Sequence, residues 1–474
     1  MYTMRFLALA TTVATTAALV TAPAYAADKG IDDVFLGIGT TNTSANISWT
    51  STTPATDQVV EVKDGETVAA KTDTTAFNGM YGVDAELTGL TPGKAYSYRV
   101  GSDTAGWSDW YTFTPEAEST NWNFLFYGDP QIGASKGKKD DPALWKHTVD
   151  TTVKNNPGTD FLLTAGDQVN ADRSATEEQK EAEYDAFFAP AAMRQLRTAV
   201  QDGNHDKRSL DAFHTHYNLP NAEDQNYYFT YNNALIISLD TNIEDTALHT
   251  EFIKKAIAAH PNTDWVIATF HQPPYAQSYH AYEDKTTWLR DELTPVLSES
   301  GVDLVLSGHE HIYGRSHLMK GNTPVKQDKQ AAPGDTLTPA DGEVLYITAN
   351  SATGSKFYDF STAIDEQHPN LTFEDSVAKN MLGHGTAYWN QDYTPDYTDV
   401  QVTPTSLKVI TRNVDDNSVV DEVTLNKAST GLSDAELAAA IVVPLLAVLA
   451  GLGALIAQFI EPIRAQLRAW GLPV

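Results

Sequence analysis

Aspartate, asparagine and histidine recur in five short motifs along the middle of the chain: GDPQ at 128–131, GDQVN at 166–170, GNHD at 203–206, FHQP at 270–273 and GHEH at 308–311. Each brings Asp, Asn or His to the end of an apolar run. Such a mixed set of oxygen and nitrogen donors suits two divalent ions about 3.5 to 4 Å apart, the arrangement that supports in-line displacement at phosphorus. Any one motif alone is weak. GNHD reads equally well as a turn whose Asn tolerates left-handed backbone, and GHEH as a surface loop with two histidines. Five in one order point to two-metal chemistry on phosphate esters.

These motifs need strands to aim them. After 120 the texture is strand and helix in alternation: apolar 123–127, a helical stretch 142–155, apolar 161–165 and a long helical stretch 176–197. Further strands are predicted at 227–230, 234–240, 265–270, 302–307 and 344–349, with helices near 246–259 and 286–300. Alternation of this kind indicates an α/β domain, spanning 121–427. Four motifs follow its strands directly, where open α/β sheets place their ligands. Residues 322–341 are polar and rich in Pro, which reads as a surface insertion. Residues 399–412 and 418–425 read as a closing hairpin.

A different pattern precedes this domain. Residues 31–115 show short alternating strands with turn signals such as Asp64-Gly65, and almost no helical period. The segment LTPGKAYSYRVG at 90–101 resembles a fibronectin type III strand, with Trp49 as candidate core aromatic. The resemblance implies an all-β sandwich that packs or spaces. Trp107 and Trp110 are expected to pack against the next domain, the sharper alternative being a carbohydrate-binding face. Residues 114–120 read as the linker.

The ends of the chain speak to location. Apolar residues 6–20 behind Arg5, followed by Ala24-Tyr25-Ala26, have the form of a secretory signal peptide at 1–26. Residues 437–460 carry no charge and as a helix would span about 36 Å, which predicts a transmembrane anchor. Acidic Asp434 and Glu436 before it and Arg464 and Arg468 after it would place the large domain outside. The formal charge of -30 argues against nucleic acid or an anionic membrane surface as an electrostatic partner. With no Cys, neither a disulfide nor a thiolate metal site is available, so burial must hold the chain together.

The motif order resembles the calcineurin-like metallophosphoesterases, and within them the purple acid phosphatases, whose catalytic domain often follows a fibronectin-like one. GHEHIYGRS at 308–316 and PPYAQSYHAYE at 273–283 are similar to the purple acid phosphatase segments. The resemblance implies a layered α/β sandwich in which Asp129 and His311 bind a first metal, Asn204, His271 and His309 a second, and Asp167 bridges. It also implies His205 and His280 as the groups that bind phosphoryl oxygens and protonate the leaving group. Asp206 would orient or tune His205, or is an ordinary solvated carboxylate. His384 and Lys356 fall in loops to which the sequence gives no geometry.

Two positions depart from the pattern. Gln131 stands where metallophosphoesterases carry His, and Asn170 where purple acid phosphatases carry Tyr. Gln131 either ligates through its amide oxygen or a water, or only hydrogen-bonds nearby. Fe(III) and a divalent ion with two carboxylates and a phenolate sum to about +2, as do two divalent ions with two carboxylates alone. Loss of the phenolate therefore favours a pair of divalent ions, and this donor set suits Mn, Fe or Zn. The expected activity is an extracytoplasmic, acid phosphatase-like phosphomonoesterase. A phosphodiesterase or nucleotidase on the same core, and a degenerate surface binding protein, are the alternatives.

Overall fold

The computed structural model describes residues 30–325, 330–359, 385–428 and 460–470. Residues 30–425 belong to one compact unit. Its N-terminal part is a β-sandwich. Ile31–Ile38, Ala45–Ser51 and Tyr81–Leu87 form one side, and Val59–Val62, Tyr96–Ser102 and Tyr111–Phe113 lie in the other. Alternate residues point inward, as the period of a strand requires. Leu36, Ile47, Trp49, Val60, Val83, Tyr98, Val100 and Phe113 make the core. Trp49 is fully buried, and its indole N–H donates to Gln58 Oε1 at 2.9 Å.

Every residue of Ala45–Ser51 is buried, including the polar set Asn46, Ser48 and Thr50 that an isolated sandwich would leave in water. The second face is the junction with the α/β part. Asn46 Nδ2 donates to the Asn218 carbonyl at 2.9 Å and Ser48 Oγ to that of His216. Gly37 pairs in parallel register with Thr198, so one 11-stranded sheet runs through both parts. Trp107 and Trp110 do not form the junction. The Arg99 guanidinium lies 4.0 Å from the Trp107 ring centroid and 4.9 Å from that of Trp110, within their own sheet.

The α/β part stacks two sheets face to face with helices outside each. Trp122–Tyr127, Phe161–Thr164 and Thr198–Ala199 run parallel in the first sheet. In the second, Ala234–Ser238, Trp265–Thr269, Leu304–Ser307 and Glu343–Thr348 do the same. Phe124, Phe126, Phe161 and Leu163 meet Ile236, Ile267, Leu306 and Ile347 between the sheets. The alternate residues Leu125, Tyr127 and Leu162 face Trp145, Val149, Tyr184 and Phe187 of helices Asp141–Asn155 and Glu177–Phe188. Strands buried on both faces are near-continuous apolar runs for this reason.

Three sequence readings change. The helix predicted over 176–197 is capped at Thr176 by a reciprocal bond with Gln179 but ends at Phe188. Pro190 follows; it has no N–H to continue the ladder, and its ring would clash with the carbonyl one turn back. Residues 399–412 divide into Asp396–Val402 and Ser406–Asn413, with Pro404 in the turn, so three strands close the sheet instead of two. The segment at 322–341 is not a free insertion. Asp335–Leu337 pairs in parallel with Val419–Asn426, and buried Asp335 accepts from Arg315 Nη1 at 3.3 Å while Arg315 Nε donates to Asp421 at 2.7 Å.

In the C-terminal unit, residues 460–469 are helical. Among the described residues no helix is long and apolar enough to cross a membrane. The run at 437–460 lies outside the described residues except for its last, as does the whole of 1–26.

Candidate metal centre

Both sheets deliver side chains to one place. Asp129, Asp167 and Asn204 follow the parallel strands of the first sheet, and His271, His309 and His311 follow those of the second. They meet where the carboxyl ends of the two sheets adjoin. Asp129 Oδ1 accepts the His309 N–H at 2.7 Å, and its Oδ2 lies 3.1 Å from His311 Nε2. Around His271 Nε2 stand Asn204 Oδ1 at 3.1 Å, His309 Nδ1 at 3.2 Å and Asp167 Oδ2 at 3.3 Å.

Those separations are informative. Ligands held about 2.0 to 2.2 Å from one ion lie about 2.9 to 3.4 Å from each other. The spacing around His271 is that of a coordination shell. The ring orientations agree: His271 Nδ1–H donates to the Ala165 carbonyl at 2.8 Å and His311 Nδ1–H to that of Lys356 at 2.7 Å. Each therefore keeps its Nε2 lone pair for a cation, the usual way a protein fixes a metal-binding imidazole.

Electrostatics point the same way. Burial alone would pull His271 down, yet Asp167 and Asp129 beside it push it up to about 10. His309 is held well below its ordinary value by burial and by His271 and His280. Asp167 resists protonation despite burial, because His271 and His205 hold its carboxylate well below the usual range. The carboxylates that favour positive charge at His271 would also attract a metal cation placed there. The donors present thus fit a dinuclear centre.

Backbone strain is concentrated here. Asp167 has φ 49, His309 φ 68, His311 φ 49 and Gln131 φ 37, a region that costs side-chain-bearing residues of order 1 to 3 kcal/mol each. The motif glycines make room for it. A Cβ on Gly203 would lie 2.2 Å from Asp167 Oδ1, and one on Gly308 2.2 Å from Asp129 Oδ1. Gly203→Ala is therefore expected to displace Asp167 and lower metal content by at least one ion per chain while the far-ultraviolet circular dichroism stays unchanged. Full metal occupancy in that variant would show that the loop relaxes around the methyl group.

The remaining sequence candidates divide. His205 and His280 both line a cavity of about 400 Å³ with Asp167, Asn204, His309 and His311. Burial lowers the affinity of His205 for protons; its Nε2 lies 2.8 Å from Gln131 Nε2, while Nδ1 faces the Asn170 carbonyl and sits 2.7 Å from Arg208 Nη1. Gln131 Nε2 also donates to Asn170 Oδ1 at 3.4 Å, and Gln131 Oε1 is buried without a hydrogen-bond partner, as a spare ligand atom would be. Asp206 is neither solvated nor turned to the His205 ring. It is fully buried and accepts from the Gly203 N–H at 3.0 Å and the Gln168 N–H at 3.4 Å, so it braces the loops that carry Asn204 and Asp167.

Glu310 was legible only as the spacer between two histidines. Completely buried, it accepts from the Gln277 N–H at 2.6 Å, the Ser278 hydroxyl at 2.8 Å and His280 Nδ1 at 2.6 Å. That bond fixes the His280 tautomer with Nδ1 protonated. Arg208, Lys136, Lys356, Tyr279 and Tyr358 complete the cavity wall. Arg208 lies one helical turn after His205, a spacing visible in GNHDKR; the others come from distant loops. His384 lies outside the described residues.

Two parts of the chain match known families. Residues 31–115 match the family of the purple acid phosphatase N-terminal domain, and residues 123–313 match the calcineurin-like phosphoesterases. Purple acid phosphatase 23 of Arabidopsis thaliana is 22% identical over 277 residues, covering 50% of this chain and 58% of its own length. Purple acid phosphatase 5 of the same plant is 28% identical over 218 residues, 42% of this chain and 50% of its own. The chain spans about half the length of the curated relatives it matches. In fold it is similar to a purple acid phosphatase from yellow lupin (Lupinus luteus) seeds, with a TM-score of 0.65 at 16% identity over 85% of this chain and 75% of that one. PhoD is similar too, with a TM-score of 0.54 at 12% identity over 86% and 92%.

Proposed function

We propose, because residues 123–313 match the calcineurin-like phosphoesterases and residues 31–115 the purple acid phosphatase N-terminal domain, that the chain is a metal-dependent phosphomonoesterase acting outside the cytoplasm. The observation that carries this reading is the convergence of carboxylate, amide and imidazole donors on a cavity that Arg208, Lys136, Lys356, Tyr279 and Tyr358 also line. Asp129, His311 and Gln131 would hold one ion, Asn204, His271 and His309 the other, and Asp167 both. When bound, such a pair neutralises phosphoryl charge and activates water. Mn, Fe or Zn in the divalent state suits the donors, since position 170 supplies no phenolate.

The chain's own groups do the rest. Arg208 and Lys356 face the cavity and bind the phosphoryl oxygens, Arg208 as a planar donor and Lys356 as a point charge. Burial lowers the Lys356 ammonium's hold on its proton, and Asp129 and Asp167 oppose that. His280, oriented by Glu310, donates the proton to the leaving oxygen. His205 is placed for binding: its Nε2 is engaged by Gln131, and burial, with a smaller contribution from Arg208, disfavours its protonated form. Tyr279, 55% exposed and with its ring centroid 4.0 Å from that of His280, offers the leaving group an aromatic wall. After metal reconstitution, the protein is expected to hydrolyse aryl and alkyl phosphate monoesters faster than the corresponding diesters. Preference for diesters across such a panel would assign the same core to a phosphodiesterase.

The signal-like segment at 1–26 and the uncharged run at 437–460 support export and anchoring by a single span. A chain ending at Lys427 is then expected in the medium, whereas the full chain stays with the membrane fraction. Identical fractionation of the two would remove the anchor from this reading.

A further inference from the structure

At the junction of the sandwich with the α/β part, a second group of potential ligands lies outside the cavity described above. Asp33 belongs to strand Ile31–Ile38, Glu181 to helix Glu177–Phe188, and His216 ends helix Leu210–His216. His216 Nε2 is 3.2 Å from Glu181 Oε1, His216 Nδ1 is 3.8 Å from Asp33 Oδ2, and one ligand atom from each residue falls within 4.8 Å of the others. His216 has no exposed surface, and neither ring nitrogen makes a hydrogen bond; Glu181 Oε2 is likewise buried without a partner. A buried imidazole with both nitrogens unsatisfied and a carboxylate toward each calls for a ligand.

The charges are equally one-sided. Burial, then Asp185, Asp32 and Glu181, raise the Asp33 carboxyl well above its ordinary value, against one hydrogen bond from Thr50. Asp185 stands one helical turn from Glu181 on the same helix; burial, then Asp32 and Glu181, push it up to about 6. Among the described residues, no Lys or Arg pairs with Asp32, Asp33, Glu181 or Asp185. Asp33 itself is held at φ 47, a backbone region that ordinary side chains avoid.

We propose that Asp33, Glu181 and His216 form a third cation site, separate from the dinuclear centre, that takes a divalent transition-metal ion and clamps the N-terminal sandwich to the catalytic part. One imidazole with carboxylates suits Zn²⁺ or Mn²⁺ better than Ca²⁺, which prefers oxygen alone. Its ligands come from three elements on both sides of the junction, so its occupancy should be read in stability more than in turnover. Ser48 and Asn46 already tie the same helix end to the sandwich through the His216 and Asn218 carbonyls.

The test counts metal in the full chain loaded with Zn²⁺ or Mn²⁺ and then freed of excess. Glu181→Gln and His216→Gln are expected to bind one ion fewer than the parent while keeping aryl phosphate turnover. Asp167→Asn, which leaves this site untouched, should retain one ion, and added Zn²⁺ should raise its melting temperature by about 2 °C or more. That rise should vanish in the double variant Asp167→Asn with Glu181→Gln. Equal metal counts in the parent and Glu181→Gln would overturn the site. So would an Asp167→Asn protein that binds no ion and melts independently of metal. A melting temperature that follows pH and ignores metal would assign the pocket to a protonated His216 bridging two carboxylates, which also overturns it.

Discussion

Asp167→Asn is expected to lose more than about a thousandfold in phosphate ester turnover, beyond the 10² to 10³ typical of a single electrostatic contact. The carboxylate lies between His271 and the loop that carries Asn204: Oδ1 accepts the His205 N–H at 2.7 Å and Oδ2 lies 3.3 Å from His271 Nε2. An asparagine carbonyl still accepts the His205 N–H, so the loop and the fold are retained. What disappears is the negative charge that would offset the repulsion between two bound cations. Metal analysis should show loss of at least one catalytic ion per chain, with circular dichroism unchanged. Near-normal turnover in this variant, or in a chelated sample of the parent, would refute the dinuclear assignment.

Much of the centre was legible because its information is local. A ligand at a strand end needs an apolar run before it and a residue tolerant of positive φ around it, and both are written within six or seven residues. That placed the five motifs; Asp129, Asp167, Asn204, His271, His309 and His311 were then named as ligands through the family resemblance the motifs carry, and the structure brings them together. The strands were legible for the same reason, and Thr246–Ala259 coincides with its predicted helix. Where the readings failed, a nearby residue was credited with a contact made elsewhere. Asp206 follows His205 in sequence, but a 3-10 turn begins there and directs its carboxylate back to the Gly203 amide.

The long-range partners left only faint signals. Glu310 sits between two ligands and on strand-like alternation would point away from them; it does, and what it meets there is Ser278 and His280 from a loop 30 or more residues earlier. Lys356 and Tyr358 reach the cavity through a loop after Glu343–Thr348 whose path no local pattern records. The polar face of Ala45–Ser51 is ambiguous in the opposite direction. Its alternation is that of a solvated sheet face, and its burial against the α/β part depends on Asn218 and His216, about 170 residues away. Polar residues that satisfy a domain junction and polar residues that face water have the same pattern in one dimension.

His280→Ala is expected to cost about a hundredfold or more in turnover of alkyl phosphates, within the range for general acid catalysis, and much less for nitrophenyl phosphates. A good leaving group departs as an anion and needs no proton, so only the poor one depends on the acid. Metal content should be unchanged, because the His280 ring lies beside that of His309, with centroids 4.2 Å apart, and is not among the donors clustered around His271. Glu310→Gln should reproduce the leaving-group dependence in weaker form, since an amide can still meet Nδ1 at 2.6 Å but no longer carries the charge that stabilises a protonated ring. His205→Ala should instead slow both esters alike and raise KM, as expected of a group that Gln131 and Arg208 hold in place for binding. If His205→Ala produces the leaving-group-dependent loss while His280→Ala slows both esters equally, the proton comes from His205 and Glu310 serves only to hold the loop that carries Ser278.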